Sequence, residues 1–204
     1  MEDAGRDYHH GALREASIAA AIEIVGEVGV EGLTLAEVAR RVRRSPAAIS
    51  PRHFRNKADL IGHIAADGFH QLHDACVRGV ADCAPGSLEK LIALGNAYIG
   101  FVAGRPELYH VMWGALRERV DHHDAQECGR RGYYFFIDIL EEVKAAQGLG
   151  DIATEELSAP LWAMVHGFAN LLLGDNEHFD RDPARLRASV DMATRALFAG
   201  LPRP

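Results

Sequence analysis

The chain has 204 residues, of which 48% are hydrophobic and 25% charged, and its formal net charge is −7. This balance is typical of a globular protein with an apolar core, and it excludes a disordered chain or a disulfide-held miniprotein. No apolar run approaches the roughly 18 to 20 residues of a bilayer span, and the acidic start lacks the apolar segment of a signal peptide. We therefore expect a cytoplasmic protein with no membrane partner.

The side chains that usually carry catalysis or metal binding are poorly placed for either. The pairs His9-His10 and His122-His123 each point to different faces of a helix, so neither forms a metal site without distant help. There is no Walker loop, dinucleotide-binding glycine fingerprint or nucleophile elbow. We therefore expect that the protein is not an enzyme and that it binds no cofactor and no metal. An odd number of cysteines without CxxC spacing indicates free thiols in a reducing compartment: Cys76, Cys83 and Cys128.

The positive charge is local. Residues 1–60 contain nine basic and nine acidic residues, so the remainder carries the whole net charge. Between Arg40 and Lys57 there are seven basic residues and no acidic one. Such a cluster is what phosphate contact requires, and it is also what an ordinary solvated basic surface shows. Charge alone does not choose between these alternatives.

Apolar residues recur at helical spacing along almost the whole chain, which predicts an all-α protein. The first helix should run from about His10 to Val28 and stop where Gly29 accepts a left-handed backbone. Thr34 is the predicted N-cap of the second helix. Glu37, three residues on, should reach back to complete a capping box.

The pair Ser45-Pro46 is an N-cap and first-turn signal for a third, short helix, which Pro51 must end or kink. A long fourth helix should run from about Asn56 to Asp82, before the first strong break at residues 84–86. Five more helices are predicted, at about 87–104, 106–116, 124–147, 154–173 and 183–200. The chain therefore divides into a predicted helix-turn-helix domain over 1–55 and a larger helical domain over 56–204.

Three helices in the first 55 residues, two of them short and joined by a tight turn, have the layout of a helix-turn-helix. The residues themselves closely resemble the DNA-binding signature of the TetR family: Gly32-Leu33-Thr34-Leu35-Ala36-Glu37-Val38-Ala39-Arg40-Arg41, Ser45-Pro46-Ala47-Ala48-Ile49, Arg52-His53-Phe54 and Lys57-Ala58-Asp59-Leu60. The run Tyr8-His9-His10-Gly11-Ala12-Leu13-Arg14 is similar to the family's entry into its first helix. The resemblance is continuous over about residues 8–65.

This resemblance implies a nine-helix TetR-like fold and a ligand-responsive transcriptional regulator. Its members act as homodimers on palindromic double-stranded DNA, commonly as repressors, and respond to a small-molecule effector. Thr34 at a helix N-terminus suits a phosphate, and small side chains in the third helix allow close approach to base edges. By resemblance, His53 and Lys57 contact the DNA backbone. The predicted DNA-binding residues are Thr34, Arg43, Arg44, Ser45, Pro46, Ala47, Ala48, Ser50, His53 and Lys57.

Three departures from the family pattern lie within this segment, and one of them is the insertion of one residue at Ser50-Pro51. Arg43 and Arg44 stand where the family usually has a glycine and an apolar residue. Ser50 and Pro51 stand where the family usually has an aromatic residue that contacts phosphate. The alternative hypothesis is therefore a TetR-like helical ligand-binding or protein-interaction module with impaired DNA binding.

The second domain contains aromatic and sulfur side chains at helix-internal positions, and Trp162, His166 and Gly167 resemble one branch of TetR C-terminal domains. These residues either form core or also line an effector pocket: Tyr98, Phe101, Tyr109, Met112, Trp113, Tyr133, Phe136, Trp162 and His166. In the family the last two helices form a four-helix dimer interface. The apolar residues here suit either that interface or packing within one chain: Leu161, Val165, Phe168, Leu172, Leu186, Val190, Ala193 and Leu197.

Overall fold

The computed structural model describes residues 3–51, 53–117, 122–175 and 177–201, with only the backbone described for 3–11, 116 and 117. Over these residues the chain forms nine helices and no strand, which confirms the predicted all-α class. The helices are α1 (Asp3–Gly32), α2 (Leu35–Arg41), α3 (Pro46–Ile49), α4 (Lys57–Val80), α5 (Leu88–Gly104), α6 (Pro106–Arg117), α7 (His123–Ala146), α8 (Thr154–Leu173) and α9 (Pro183–Ala199). In the described part of the chain, none of them is long and apolar enough to span a bilayer.

The helix boundaries follow local signals in the sequence. Gly29 adopts a left-handed φ of 72° and interrupts α1, as predicted, although α1 begins at Asp3, seven residues before the predicted start. Thr34 caps α2, and its Oγ1 accepts a hydrogen bond from the backbone N–H of Glu37 at 3.1 Å. The Glu37 carboxylate accepts hydrogen bonds from Arg40, so only half of the predicted capping box forms.

The described structure has two compact units. The first contains Met1–Phe69 and Glu107–Cys128, and the second contains His70–Pro106 and Gly129–Pro204. The division predicted from sequence, 1–55 and 56–204, is a division by function and stays a prediction. The first unit has a tightly packed apolar core, whose largest fully buried side chains are Ile24, Leu33, Val38, Ile49, Phe54, Leu60, Ile64, Leu108 and Met112.

The second unit is built around α5, which packs on α8 and α9. Its helices approach closely at glycines: a Cβ at Gly95 would lie 2.8 Å from Val190 of α9. One charged side chain is buried there. Lys144 is 3% exposed and its Nζ contacts Glu141 Oε1 and Thr154 Oγ1 at 3.0 and 2.8 Å, so its charge is paired and two of its three N–H donors have acceptors.

The cysteines are free thiols, as predicted. Two of them, Cys76 and Cys128, are buried, and burial raises the pKa of the Cys76 thiol to about 12. A thiol of this kind is unreactive at neutral pH because almost none of it is thiolate.

Candidate nucleic-acid interface and effector site

The turn between α2 and α3 has a backbone conformation that favours glycine. Arg43 has φ 55°, in the left-handed region. The turn is closed by hydrogen bonds from Arg43 N to Arg40 O at 3.1 Å and from Arg44 N to Ala39 O at 2.9 Å. The first departure from the family pattern therefore changes the residue and keeps the left-handed turn.

This geometry predicts that Arg43→Gly stabilises the fold. Relief of the left-handed strain is worth about 1 kcal/mol, and the greater freedom of glycine in the unfolded chain offsets part of it, which leaves a gain of roughly 0.5 kcal/mol in the free energy of unfolding. Urea unfolding followed by circular dichroism measures it. The matched control is Arg44→Gly, because Arg44 has no positive φ and the same change should destabilise. Equal effects of the two substitutions would contradict the prediction.

The third helix is a single turn held on the core by one side chain. Ile49 is fully buried, whereas Ser45, Pro46 and Ala47 are exposed and Ala48 is half-buried. Ser45 occupies the N-cap position without a side-chain capping bond, so its hydroxyl remains available on the surface. The small side chains of α3 therefore lie on an outer face of the first unit.

The C-terminal end of α3 agrees with the stop that Pro51 predicts. The helix ends at Ile49, and Ser50 is extended with φ −115° and ψ 136°, as is usual before proline. The Ser50–Pro51 peptide bond is cis. Ser50 is half-buried, and its N–H donates to Pro46 O at 2.9 Å.

The basic cluster is less cationic than the sequence suggests. Arg41 makes a bidentate pair with Glu27 of α1 at 2.7 Å for both bonds, and its hydrogen bonds lower the pKa of Glu27. Arg40 pairs with Glu37 at 2.5 Å, which lowers the pKa of that carboxyl group. Packing of α1 on α2 thus brings Glu27 to Arg41, whereas Glu37 reaches Arg40 from three residues earlier on α2 itself.

Among the described residues, no acidic group forms an ion pair with Arg43 or Arg44, and both side chains are exposed. Lys57, by contrast, donates to Glu31 O at 3.0 Å and is half-buried. His53 is also half-buried, and Thr34 is exposed at the start of α2. Arg52 of the family signature and the side chains of residues 8–11 lie outside the described residues.

Two side chains of α4 and a third that is distant in sequence lie together in the first unit. Asp59 and His63 are one turn apart on α4, and His122 immediately precedes α7. Each offers one metal-ligand atom, and the three atoms lie within 4.8 Å of one another. The His63 and His122 rings meet edge to face, with centroids 4.4 Å apart. Burial, followed by the charge of Arg14, lowers the pKa of His63 below its ordinary value.

The second unit contains an aromatic cluster made of five of the predicted pocket residues. Trp162 lies at its centre, with ring centroids 5.3 Å from Tyr133, 5.8 Å from Phe136 and 4.6 Å from His166. The Tyr98 hydroxyl is 3.1 Å from His166 Nδ1. Burial lowers the pKa of His166 to about 4, so at neutral pH its uncharged ring can exchange a hydrogen bond with Tyr98. The cluster is apolar with one polar pair.

Of the other four predicted pocket residues, three are buried in the core and Trp113 is half-buried. Phe101 is 8% exposed in the second unit. In the first unit, Tyr109 and Met112 are 4% and 0% exposed, and the Trp113 ring lies 6.2 Å from that of Tyr109. A pocket lined by these residues stays a prediction.

An open cleft of about 460 Å³ lies between α5 and α9, away from the predicted pocket residues. Its lining mixes apolar and charged side chains: Cys83, Glu89, Ile92, Ala93, Asn96, Arg187, Ala188, Asp191 and Arg195. Arg195 spans it with ion pairs to Glu89 at 3.2 Å and to Asp191 at 2.7 Å. Sequence periodicity gave no signal for this cleft because its lining comes from separate helices.

Three of the predicted dimer residues are already buried inside the chain: Leu161, Leu186 and Val190 are 5%, 6% and 1% exposed. They serve intrachain packing whether or not a dimer forms. The remaining five are half-buried: Val165, Phe168, Leu172, Ala193 and Leu197. Gly167 of α8 is exposed, with open space where a Cβ would stand. The dimer interface stays a prediction.

A three-helix head with an exposed turn and short third helix defines a helix-turn-helix regulator. Residues 18–64 match the family described as "Bacterial regulatory proteins, tetR family", and residues 91–197 match the "Tetracyclin repressor-like, C-terminal domain". The chain belongs to the TetR family of DNA-binding transcriptional regulators. Regulators of this family bind DNA and small-molecule effectors. Comparison with curated proteins finds no significant match.

Solved structures share the whole fold. A protein of unknown function from Rhodococcus sp. RHA1 is 29% identical, with TM-score 0.82 over 95% of this chain and 97% of its own. A tetR-family regulatory protein from Rhodococcus RHA1 is 22% identical, with TM-score 0.70 over 90% and 95%. The transcriptional regulator FadR from Bacillus subtilis, solved in complex with stearoyl-CoA, is 16% identical, with TM-score 0.68 over 92% and 99%. The last two similarities support the fold alone.

Proposed function

We propose that this chain is a cytoplasmic repressor that binds a palindromic operator as a homodimer and is released by a small-molecule effector. The observation that carries this proposal is the outer face of α3. The small side chains Ala47 and Ala48 lie there, next to Arg43 and Arg44, two exposed cations free of ion pairs within the described chain. Small side chains admit base edges, and unpaired cations attract phosphates.

The homodimer is proposed from the outer parts of α8 and α9. Half-buried apolar residues such as Phe168 and Leu197 are only partly covered by their own chain, and the open surface at Gly167 allows a second helix to approach. A two-fold axis through such an interface places the helix-turn-helix segments of the two chains in equivalent positions. Two equivalent heads bind two half-sites related by the same symmetry, which is a palindrome.

The effector is proposed to bind at the aromatic cluster around Trp162. Apolar walls with a few polar groups are typical of small-molecule sites. The neutral His166 and the Tyr98 hydroxyl provide the polar pair. We therefore propose an apolar effector that carries a hydrogen-bonding group, and the stearoyl-CoA complex of the Bacillus FadR offers long-chain acyl compounds as the first class to test.

The test is fluorescence anisotropy with duplexes from the DNA that flanks this protein's own gene, at two salt concentrations. We expect saturable binding that unlabelled copies of one duplex compete away and that an unrelated duplex does not. Affinity should fall steeply with salt, because each neutralised phosphate releases counterions. Two chains should bind per duplex. Failure of every flanking duplex to compete specifically would contradict the proposal.

A second candidate function is a ligand-binding or protein-interaction module with impaired DNA binding. The observation that favours it is the length of α3, which has only four residues and ends before Ser50 and Pro51. A variant that carries Ser50→Tyr and lacks Pro51 separates the two functions. Under the module hypothesis, this variant gains duplex binding that the wild type does not have. Under the repressor hypothesis, the wild type already binds.

A further inference from the structure

We propose that Asp59, His63 and His122 form a binding site for one divalent transition-metal ion of the Zn²⁺ type. All three lie in the first unit and offer their ligand atoms within 4.8 Å of one another. Imidazole nitrogens with one carboxylate oxygen are a common ligand set for Zn²⁺ and leave a fourth position for water. Sequence spacing could not reveal the site, because Asp59 and His63 lie on α4 whereas His122 lies just before α7, far along the chain.

The local geometry is close to what a tetrahedral ion needs. Asp59 Oδ2 and His63 Nε2 are 4.0 Å apart, whereas ligand atoms around tetrahedral Zn²⁺ lie about 3.4 Å apart. This pair must therefore shorten by about 0.6 Å, and no pair of ligand atoms in the site is more than 4.8 Å apart. Asp59 is 9% and His122 is 7% exposed, and His63 is more open, which provides an entry path for the ion.

A glycine allows the third ligand to enter. A Cβ at Gly62 would lie 2.3 Å from Cγ and Cδ2 of the His122 ring, so the ring lies directly against the backbone of α4. Any larger residue at this position would push the imidazole away from Asp59 and His63. The absence of a side chain at Gly62 thus sets the distance between the two histidines.

The carboxylate is held in place by its own partner. Asp59 accepts two hydrogen bonds from Arg55: the guanidinium donates to Oδ1 at 2.7 Å, and the backbone N–H donates to Oδ2 at 2.9 Å. Hydrogen bonds of this kind orient a metal ligand and keep it ionised. The Arg55 side chain itself is 75% exposed, so its charge is screened by water.

Metal binding would break one hydrogen bond in the first unit, the bond between Arg14 and His63. Arg14 of α1 lies with Nη2 2.7 Å from His63 Nδ1, which must therefore accept, so the ring proton is on Nε2. An ion on Nε2 requires that proton to move to Nδ1, where it opposes the Arg14 donor. The second histidine of the site also accepts a hydrogen bond: the Ala125 backbone N–H donates to His122 Nδ1, and this bond is long at 3.4 Å. Ion binding and the Arg14 contact are therefore mutually exclusive.

The test uses the full chain without a polyhistidine tag, treated with a chelator and titrated with Co²⁺, whose visible absorption reports ligand number and type. We expect one Co²⁺ per chain, displaced by one Zn²⁺. His122→Ala and Asp59→Asn should each weaken binding by at least about 100-fold, since loss of even an outer-shell partner costs about 10- to 100-fold. His123→Ala, the adjacent exposed histidine, is the control and should bind as the wild type does.

Arg14→Ala provides a readout that a purely structural cluster would not give. It removes a positive charge and the competing donor, so Co²⁺ should bind several-fold more tightly. Circular dichroism checks that each variant is folded, and if His122→Ala is not, the shape-conserving Asp59→Asn carries the comparison. The proposal is overturned if the wild type and Asp59→Asn bind Co²⁺ equally, if His123→Ala loses the ion, or if Arg14→Ala binds it more weakly.

Discussion

Replacement of Ala47 by glutamate is expected to weaken operator binding by at least about 100-fold, equivalent to roughly 3 kcal/mol. Ala47 is exposed on α3, the helix proposed to enter the major groove. A carboxylate at this position would oppose the phosphates and fill the space that the methyl group leaves for base edges. Anisotropy titration with the operator duplex at a fixed salt concentration measures the loss.

The stability of the protein should not change with this substitution. A surface position outside the core usually shifts the free energy of unfolding by no more than about 0.5 kcal/mol. Ala145→Glu is the matched control, because Ala145 is an exposed alanine on α7 and the change in charge is the same. Equal losses of DNA affinity in the two variants would refute a specific role for α3, since both carry the same added charge.

The second large effect is expected in the core of the first unit, where Phe54→Ala should lower the free energy of unfolding by about 3 to 5 kcal/mol. Phe54 is fully buried, and its ring meets His63 edge to face with centroids 5.6 Å apart. Its backbone N–H donates to Ile49 O at 3.3 Å, so the same residue anchors the end of α3. A loss of this size is a large share of the usual 5 to 15 kcal/mol of a folded domain.

Urea unfolding with circular dichroism measures this change. Phe179→Ala is the control, because Phe179 is 49% exposed and should cost no more than about 0.5 kcal/mol. Phe54→Leu, which keeps most of the apolar volume, should recover much of the stability. A loss below about 1 kcal/mol for Phe54→Ala would mean that the first unit does not depend on this ring.

These two substitutions distinguish the role of the exposed α3 surface from that of the core of the first unit. Ala47→Glu should abolish DNA recognition in a stable protein, whereas Phe54→Ala should affect recognition only through the fold. Thermal unfolding of both variants beside the anisotropy assay distinguishes a missing contact from a missing structure. The same pair of assays also distinguishes the repressor from the module with impaired DNA binding.

Much of the fold was predictable because helices depend on near neighbours. The segment predicted at 154–173 is the observed α8, Gly29 interrupts α1 where a stop was predicted, and α3 ends before Ser50-Pro51 as predicted. The left-handed backbone at Arg43 was not predicted, although it lies where the family usually has a glycine. Periodicity, caps and breakers all act within about one or two turns of helix, so one sequence contains them.

The candidate sites were only partly predictable. The exposure of Ser45, Pro46 and Ala47 agrees with their predicted place on a contact surface, whereas the burial of Ile49 was not predicted. By contrast, nothing in the run from Arg40 to Lys57 reveals that Glu27 neutralises Arg41. Apolar periodicity in α9 likewise could not tell that Val190 packs within its own chain.

The sequence by itself determined the number and type of the helices and the membership of the TetR family, because these rest on residues close together along the chain. Only the tertiary structure decided that Glu27 pairs with Arg41, and that His122 reaches Asp59 and His63 across Gly62. Those outcomes depend on which helix faces meet. Burial of apolar surface selects those contacts among residues far apart in sequence, so no local pattern specifies them.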